Sequence, residues 1–235
     1  MWCRVWWSSP LRAVGSAGVG LDEVERRRCE RLVRADDRAR FVAGRLLARR
    51  AVAGELGCAP GDVRIVQRCA VCGGAHGKPR VAGHAGLGLS IAHAGEHVVV
   101  AVARGRDVGI DVERVGPYED LAGRDAGVLH DAERAVLAAL APAERARAFC
   151  SYWTRKEALL KASGEGLTVE LATLHLTAPA DAPAIVAGPP SLPPERVWMR
   201  DLDAGDGYGA CVALLGPGDA DVRVEQSRVD LALGA

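Results

Sequence analysis

Apolar and polar positions alternate along the chain in two textures, helical and extended. Residues 4–9, RVWWSS, read as a strand. Residues 21–56 carry apolar residues at helical spacing, interrupted near Ala35-Asp36-Asp37, where Asp can cap a second helix. Residues 63–68 read as another strand, and CAVCGGAHGKP at 69–79 as a Gly-rich loop. The β texture returns in LGLSIAH, HVVVAVA and DVGIDVERV, whose short connections AGE and RGR suit antiparallel hairpins. A second helical stretch covers HDAERAVLAAL and then APAERARAFCSYWTRKEALLKASG, with Gly164 as its C-terminal cap. TVELATLHL then reads as a strand, DAPAIVAGPPSLPP as a loop, and RVWMRDL, GYGACVALL and VRVEQ as closing strands.

Each half thus runs from helices into antiparallel strands, a pattern of the α+β class rather than of alternating βαβ units. The boundary falls near Arg104-Gly105-Arg106, giving halves of residues 1–105 and 106–235 with no residue-level repeat between them. GSAGVG does not follow a strand in a βαβ unit, which argues against a dinucleotide fingerprint. Aromatics make up only 4% of the 235 residues, so Ala, Val and Leu must fill most of the interior. The net charge is zero, so no whole-surface attraction to nucleic acid or anionic membrane is expected. The longest apolar runs, such as HVVVAVA, are too short to span a bilayer, and MWCRVWWSSP has no signal-peptide pattern. Seven scattered cysteines form no disulfide framework, and the expectation is a reduced, cytoplasmic protein.

The candidate chemistry lies in two segments. In GIDVERV, strand alternation sends Ile110 and Val112 to one face and Asp111 and Glu113 to the other. Two such carboxylates are either solvated acids on a half-exposed strand or part of a hard-cation site. In WTRKEALLKASGEGL, Phe149, Trp153 and Leu160 share a helical stripe suited to a core. Glu157 and Lys161 project together from one flank of it, and Lys156 from the other. A Glu–Lys pair at this spacing is ordinary helix decoration. The choice of lysine is not ordinary, because Lys78, Lys156 and Lys161 are the only lysines among 30 basic residues. A site that needs a compact point charge, or a donor able to lose a proton, would refuse the guanidinium fork.

VGIDVE at 108–113 and WTRKEALLKASGEGL at 153–167 together resemble the two signature segments of the 4'-phosphopantetheinyl transferases of the Sfp type. GKP at 77–79 and the IAHAGEH turn match two weaker family segments in the same order. The resemblance implies a pseudo-dimer of two similar α+β halves whose cleft forms within one chain, hence a monomer. It implies transfer of the phosphopantetheine arm of coenzyme A to a serine of an apo acyl or peptidyl carrier protein, releasing 3',5'-ADP. Polyketide, nonribosomal peptide or fatty-acid synthases would be the beneficiaries.

By the same resemblance Asp111, Glu113 and Glu157 hold Mg²⁺, with Mn²⁺ as an alternative ion. Lys161 contacts the phosphates and stabilises the leaving group, Glu157, directly or through a metal-bound water, serves as base toward the serine, and Lys156 lies near the coenzyme. Lys78, His93 and Arg40 match positions that contact the nucleotide. Two departures bear on that pocket: Ala92 stands where the family has Ser, and Phe41 where it often has Thr. Exposed arginines would steer the acidic carrier. Other signals are weaker. Cys69-x-x-Cys72 and His76 invite zinc, but a tetrahedral site needs a fourth ligand, and Cys58, Cys29 or His84 is only a guess. The expectation there is a reduced, partly buried Cys loop. Arginine-dense helices over 26–50 suggest a nucleic-acid module, but interleaved acids dilute the patch. A different coenzyme A enzyme, such as an acyltransferase, would need no trio of acids.

Overall fold

A computed structural model gives the protein's structure over residues 1–11, 20–69, 72–116, 125–166, 169–217 and 221–231. In chain order the elements are β1 (Trp2–Ser8), α1 (Glu23–Glu30), α2 (Ala35–Leu56), β2 (Ile65–Gln67), β3 (Pro79–Val81), β4 (Leu87–Ala94), β5 (His97–Arg104) and β6 (Asp107–Arg114). There follow α3 (Asp125–Val128), α4 (Asp131–Ala139), α5 (Pro142–Ser163), β7 (His175–Leu176), β8 (Ile185–Ala187), β9 (Val197–Asp201), β10 (Tyr208–Leu215) and β11 (Arg223–Arg228). The protein is α+β.

The chain divides into two compact units, Met1–Gly105 with Asp221–Ala235, and Arg106–Ala220. In the first, a six-stranded sheet runs β11-β1-β5-β4-β3-β2. Only β1 and β11 pair in parallel; the other pairs are antiparallel. Helix α2 packs on this sheet through Val42, Ala43, Leu47, Ala51 and Val52, against Leu89, Val98, Val100 and Val102. The many alanines bring the helix close. Gly57, in the left-handed region at φ 67°, ends it, as only a residue without Cβ does cheaply. The second unit has its own core around Phe149, Tyr152, Leu159, Leu160, Leu174 and Leu192. Its three-stranded sheet runs β6-β10-β9, a small β7–β8 pair stands apart, and α5 lies across β6 and β10.

Several local expectations change. Asp36 and Asp37 do not cap α2; they sit inside its first turn, where they meet the positive end of the helix dipole, and Arg34 is the cap position. The RGR connection is no hairpin, because β5 pairs with β1 and β4 while β6 pairs with β10. Residues 221–231 belong with the first unit, since β11 pairs with β1. Within TVELATLHL, residues Leu171–Thr173 form a 3₁₀ turn and only His175–Leu176 is strand, while Thr168 lies outside the described residues. The Pro-rich stretch carries the short strand β8.

Part of the arginine density on α1 and α2 is taken up by ion pairs within the helices. Glu25, buried, receives Arg45 at 3.0 Å and Arg49 at 2.7 Å, and Arg27 pairs with Glu23. Arg45 and Arg49 are thus buried ion-pair partners of Glu25 rather than part of an exposed basic face.

Candidate active site

The site begins with a missing side chain. A Cβ on Gly109 would lie 1.9 Å from the Ala158 carbonyl oxygen and 2.4 Å from the Ala162 nitrogen. Strand β6 and helix α5 therefore touch backbone to backbone at this point, an approach glycine alone permits. Across the ladder Gly209, opposite Glu113, leaves room for a side chain of α5 instead, since a Cβ there would sit 2.8 Å from the Cys150 sulfur. Because Gly109 faces the helix, so do Asp111 and Glu113 two and four residues on. The alternation read from the sequence holds, but the acid face is the one roofed by α5 rather than a half-exposed one. Asp111 is accordingly 3% exposed.

Burial is costly for a carboxylate, and the local charges divide over it. Desolvation pushes the Asp111 carboxyl up to about 7; Lys161 opposes this, and Glu113 and Glu157 add to it. Lys161 Nζ donates to Asp111 Oδ1 at 2.5 Å. The other oxygen, Oδ2, is buried without a hydrogen-bond partner. Desolvation also raises Glu113, which Lys161 and a hydrogen bond from the Trp153 indole hold back while Glu157 pushes it further. Three carboxylates and one ammonium thus share a single electrostatic neighbourhood.

Lys161 has 31% of its side chain exposed, and Glu157, four residues earlier, is half-buried. The hard oxygen donors and the unpartnered Asp111 oxygen suit a divalent cation. Among the described residues, however, the group whose ligand atoms all lie within 4.8 Å of one another is Cys69, Cys72 and His76, not the three acids. Closing the acids on one ion requires movement of the two partly exposed glutamates, whose longer side chains can supply it.

Lys156 departs from expectation. Its ammonium is fully buried and donates to Glu133 Oε2 at 2.6 Å and to the carbonyls of Val128, Leu174 and Leu171 at 2.8, 2.7 and 3.0 Å. Glu133, also fully buried, accepts in turn from the His130 and Leu176 amides. With four acceptors around it and no exposure, this nitrogen cannot reach a phosphate. Lysine is kept here because a compact ammonium fits where four oxygens converge. Burial draws its pKa down and Glu133 opposes that.

In the first unit, the expected nucleotide contacts fall into two groups. Lys78 lines a cavity of about 510 Å³ with Arg68, Arg80, Val66, Cys69 and Gly73. Arg40 bonds Asp37 at 2.5 Å and the Gly95 carbonyl at 3.2 Å, and together with the exposed His93 it lowers the Asp37 carboxyl. Sequence reasoning passed over Arg68, Arg80 and the fully buried Arg155, and gave Trp153 a core role although its indole also bonds Glu113. Arg155 bonds Asp201 and four carbonyls, tying α5 to β9. A signal for the first pair existed: they flank the Gly-rich loop, Arg68 just past the end of β2 and Arg80 on β3, with Gln67 opposite Pro79.

Comparison with known proteins identifies the family. The family model of the 4'-phosphopantetheinyl transferase superfamily matches residues 107–211, the segment holding all three acids and Lys161. The chain is 30% identical over 202 residues to the 4'-phosphopantetheinyl transferase HetI of Nostoc sp., covering 84% of this chain and 80% of that one. A 4'-phosphopantetheinyl transferase of Bacillus subtilis is 27% identical over 199 residues, covering 84% and 83% respectively. The transferase Sfp of Bacillus subtilis (strain 168) is 24% identical, covering 80% of each chain. Among solved structures, a holo-(acyl-carrier-protein) synthase from Bacillus anthracis is 19% identical, with a TM-score of 0.40 over 47% of this chain and 96% of that one. With an acid-and-lysine site on β6 and α5 and relatives matched along most of its length, the chain belongs to the 4'-phosphopantetheinyl transferase family.

Proposed function

We propose that the protein transfers the 4'-phosphopantetheine arm of coenzyme A to a serine hydroxyl of an apo acyl or peptidyl carrier protein. The reaction depends on Mg²⁺, releases 3',5'-ADP, and activates fatty-acid, polyketide or nonribosomal peptide synthases. The observation that carries the reading is Asp111. It is buried under α5 beside two further carboxylates, with one oxygen on Lys161 and the other unpartnered. A plain structural ion pair would have no use for the two extra acids, which make its burial more costly.

Asp111, Glu113 and Glu157 would hold the cation, which when bound supplies neutralising charge to a diphosphate. Lys161 meets a phosphate oxygen and stabilises the departing 3',5'-ADP, giving it a proton as charge develops. Glu157, the more exposed acid on the same helix turn, takes the proton of the attacking serine. Lys78, with Arg68 and Arg80 around the cavity, receives phosphate groups of the nucleotide, and Arg40 and His93 add contacts to it. Lys156 acts only by fixing α5. None of the seven cysteines is in a disulfide, in keeping with a reducing, cytoplasmic setting. No helix of the described residues is long and apolar enough to cross a membrane.

The test is to incubate the protein with coenzyme A, Mg²⁺ and an apo carrier domain and to weigh the intact carrier. The expected result is a gain of one phosphopantetheine arm, mapped to a serine, with 3',5'-ADP released and a chelator stopping the reaction. An unmodified carrier with coenzyme A, together with acyl transfer and release of the free thiol when acyl-coenzyme A is supplied in its place, would mean an acyltransferase and overturn the reading.

A further inference from the structure

The Gly-rich loop between β2 and β3 holds a group of side chains that the transfer reaction does not use. The ligand atoms of Cys69, Cys72 and His76 all lie within 4.8 Å of one another, and Cys72 Sγ is 3.0 Å from His76 Nε2. At a tetrahedral zinc with Zn–S about 2.3 Å and Zn–N about 2.0 Å, neighbouring ligand atoms sit about 3.5–3.8 Å apart. The three side chains are therefore gathered at close to the span a single ion requires. The backbone is folded to gather them. The Gly73 amide donates to the Cys69 carbonyl and the Cys69 amide to the Gly74 carbonyl, each at 2.9 Å, closing a tight turn between the cysteines and the histidine. Gly73 takes φ 71°, open to glycine and strained for other residues. A Cβ on Gly74 would come within 3.1 Å of the His76 ring and 3.2 Å of the Cys72 sulfur, so the centre of the turn is kept empty for thiol and imidazole to meet.

We infer that Cys69, Cys72 and His76 bind one Zn²⁺ as two thiolates and a neutral imidazole, with water in the fourth position. Among the described residues no fourth metal-ligating side chain joins the group, and Cys72 and His76 are exposed, so solvent reaches the ion. Soft thiolates with one imidazole select zinc over the hard cation expected at the acids. The ion has a mechanical consequence. Cys69 and Gly73 form part of the wall of the cavity lined by Lys78, Arg68 and Arg80, and Lys78 follows His76 by two residues. Zinc closes the loop covalently where hydrogen bonds alone hold it, including that from Gln67 Nε2 to the Gly77 carbonyl at 2.7 Å. The cavity wall then keeps its shape when the cavity is vacant.

Two measurements test this. The full chain, purified under reducing conditions and supplied with zinc, should carry a single equivalent of tightly held metal. Exchange with Co²⁺ should give a thiolate-to-cobalt charge-transfer band. The Cys69→Ser/Cys72→Ser pair and His76→Ala should lose the zinc and the band without change in the far-ultraviolet circular dichroism. Cys58→Ser, an exposed thiol outside the group, should keep both. A metal-free wild type, or an unchanged cobalt spectrum in the double variant, would overturn the site. The second measurement rests on the nucleotide reading above: 3',5'-ADP should bind more weakly, by about tenfold, after a zinc-selective chelator. Equal binding with and without zinc refutes the role in shaping the cavity. Failure of 3',5'-ADP to bind either form instead overturns the nucleotide reading and leaves the metal result standing.

Discussion

At the scale of single residues, two lysines five apart on one helix have opposite fates. Lys161 is partly exposed and bonded to Asp111, whereas Lys156 is sealed among Glu133 and three carbonyls. Lys161→Ala should abolish transfer while leaving the melting temperature within a few degrees. Lys156→Ala should cost about 3–5 kcal/mol of stability, because Glu133 is left as an uncompensated buried charge. Lys156→Met with Glu133→Leu should recover much of that loss. Chemical denaturation of the variants, beside the transfer assay, separates the roles. Asp111 supplies a pH test. Its carboxyl holds a proton more tightly in the folded state, at about 7 against an ordinary 3.8. That contribution is fully present below about pH 4 and lost as pH rises through about 7, on the order of 2–4 kcal/mol in all. In a chelator, Asp111→Asn should therefore melt closest to wild type below about pH 4 and increasingly above it from pH 5 to pH 8, although it transfers nothing. A wild type that loses no stability relative to the variant over that interval would refute the burial argument. The scarcity of lysine marked these positions in the sequence. It did not distinguish them, because which flank of α5 meets α4 and which meets the acids is decided by packing between distant segments.

At the scale of elements, the site depends on how closely β6 and α5 approach. Gly109→Ala would drive a methyl into the Ala158 carbonyl and the Ala162 amide, so strand and helix must part. The expected result is a loss of more than about 3 kcal/mol, with transfer failing together with thermal stability. A variant of normal stability would show that the backbone contact is dispensable. Helix ends and most strands were legible locally: Gly164 ends α5 in the left-handed conformation, at φ 78°, as its position in the sequence predicts. Strand pairing was not. RGR has the length of a hairpin turn, yet β6 takes β10 as its partner from about a hundred residues away, and nothing local encodes that choice. The acid face of β6 was likewise legible as a face but not as a buried one, since its cover is supplied by α5.

At the scale of the whole molecule, the chain builds two cores, and its C-terminal strand returns to the first. β11 pairs with β1 in parallel, and Gln226 accepts from the Trp7 indole at 2.9 Å. Arg4 ties the arrangement together through Glu225 and Glu55. Truncation after Pro217 should bare the edge of β1 and destabilise the first unit, with tryptophan fluorescence following the loss and aggregation rising. Retention of the full-length melting profile would contradict the role given to β11. The α+β class was legible from texture alone. The placement of the last strand was not, because parallel partners are linked through most of the chain rather than by a short turn.

The central claim, that Asp111, Glu113 and Glu157 form one cation site, is tested most directly by Mn²⁺ binding followed by paramagnetic resonance, with coenzyme A present and the loop cysteines replaced by serine. The account predicts one tight site in the parent protein and its loss in Asp111→Ala, Glu113→Ala and Glu157→Ala alike. Undiminished binding in any two of the three would contradict it.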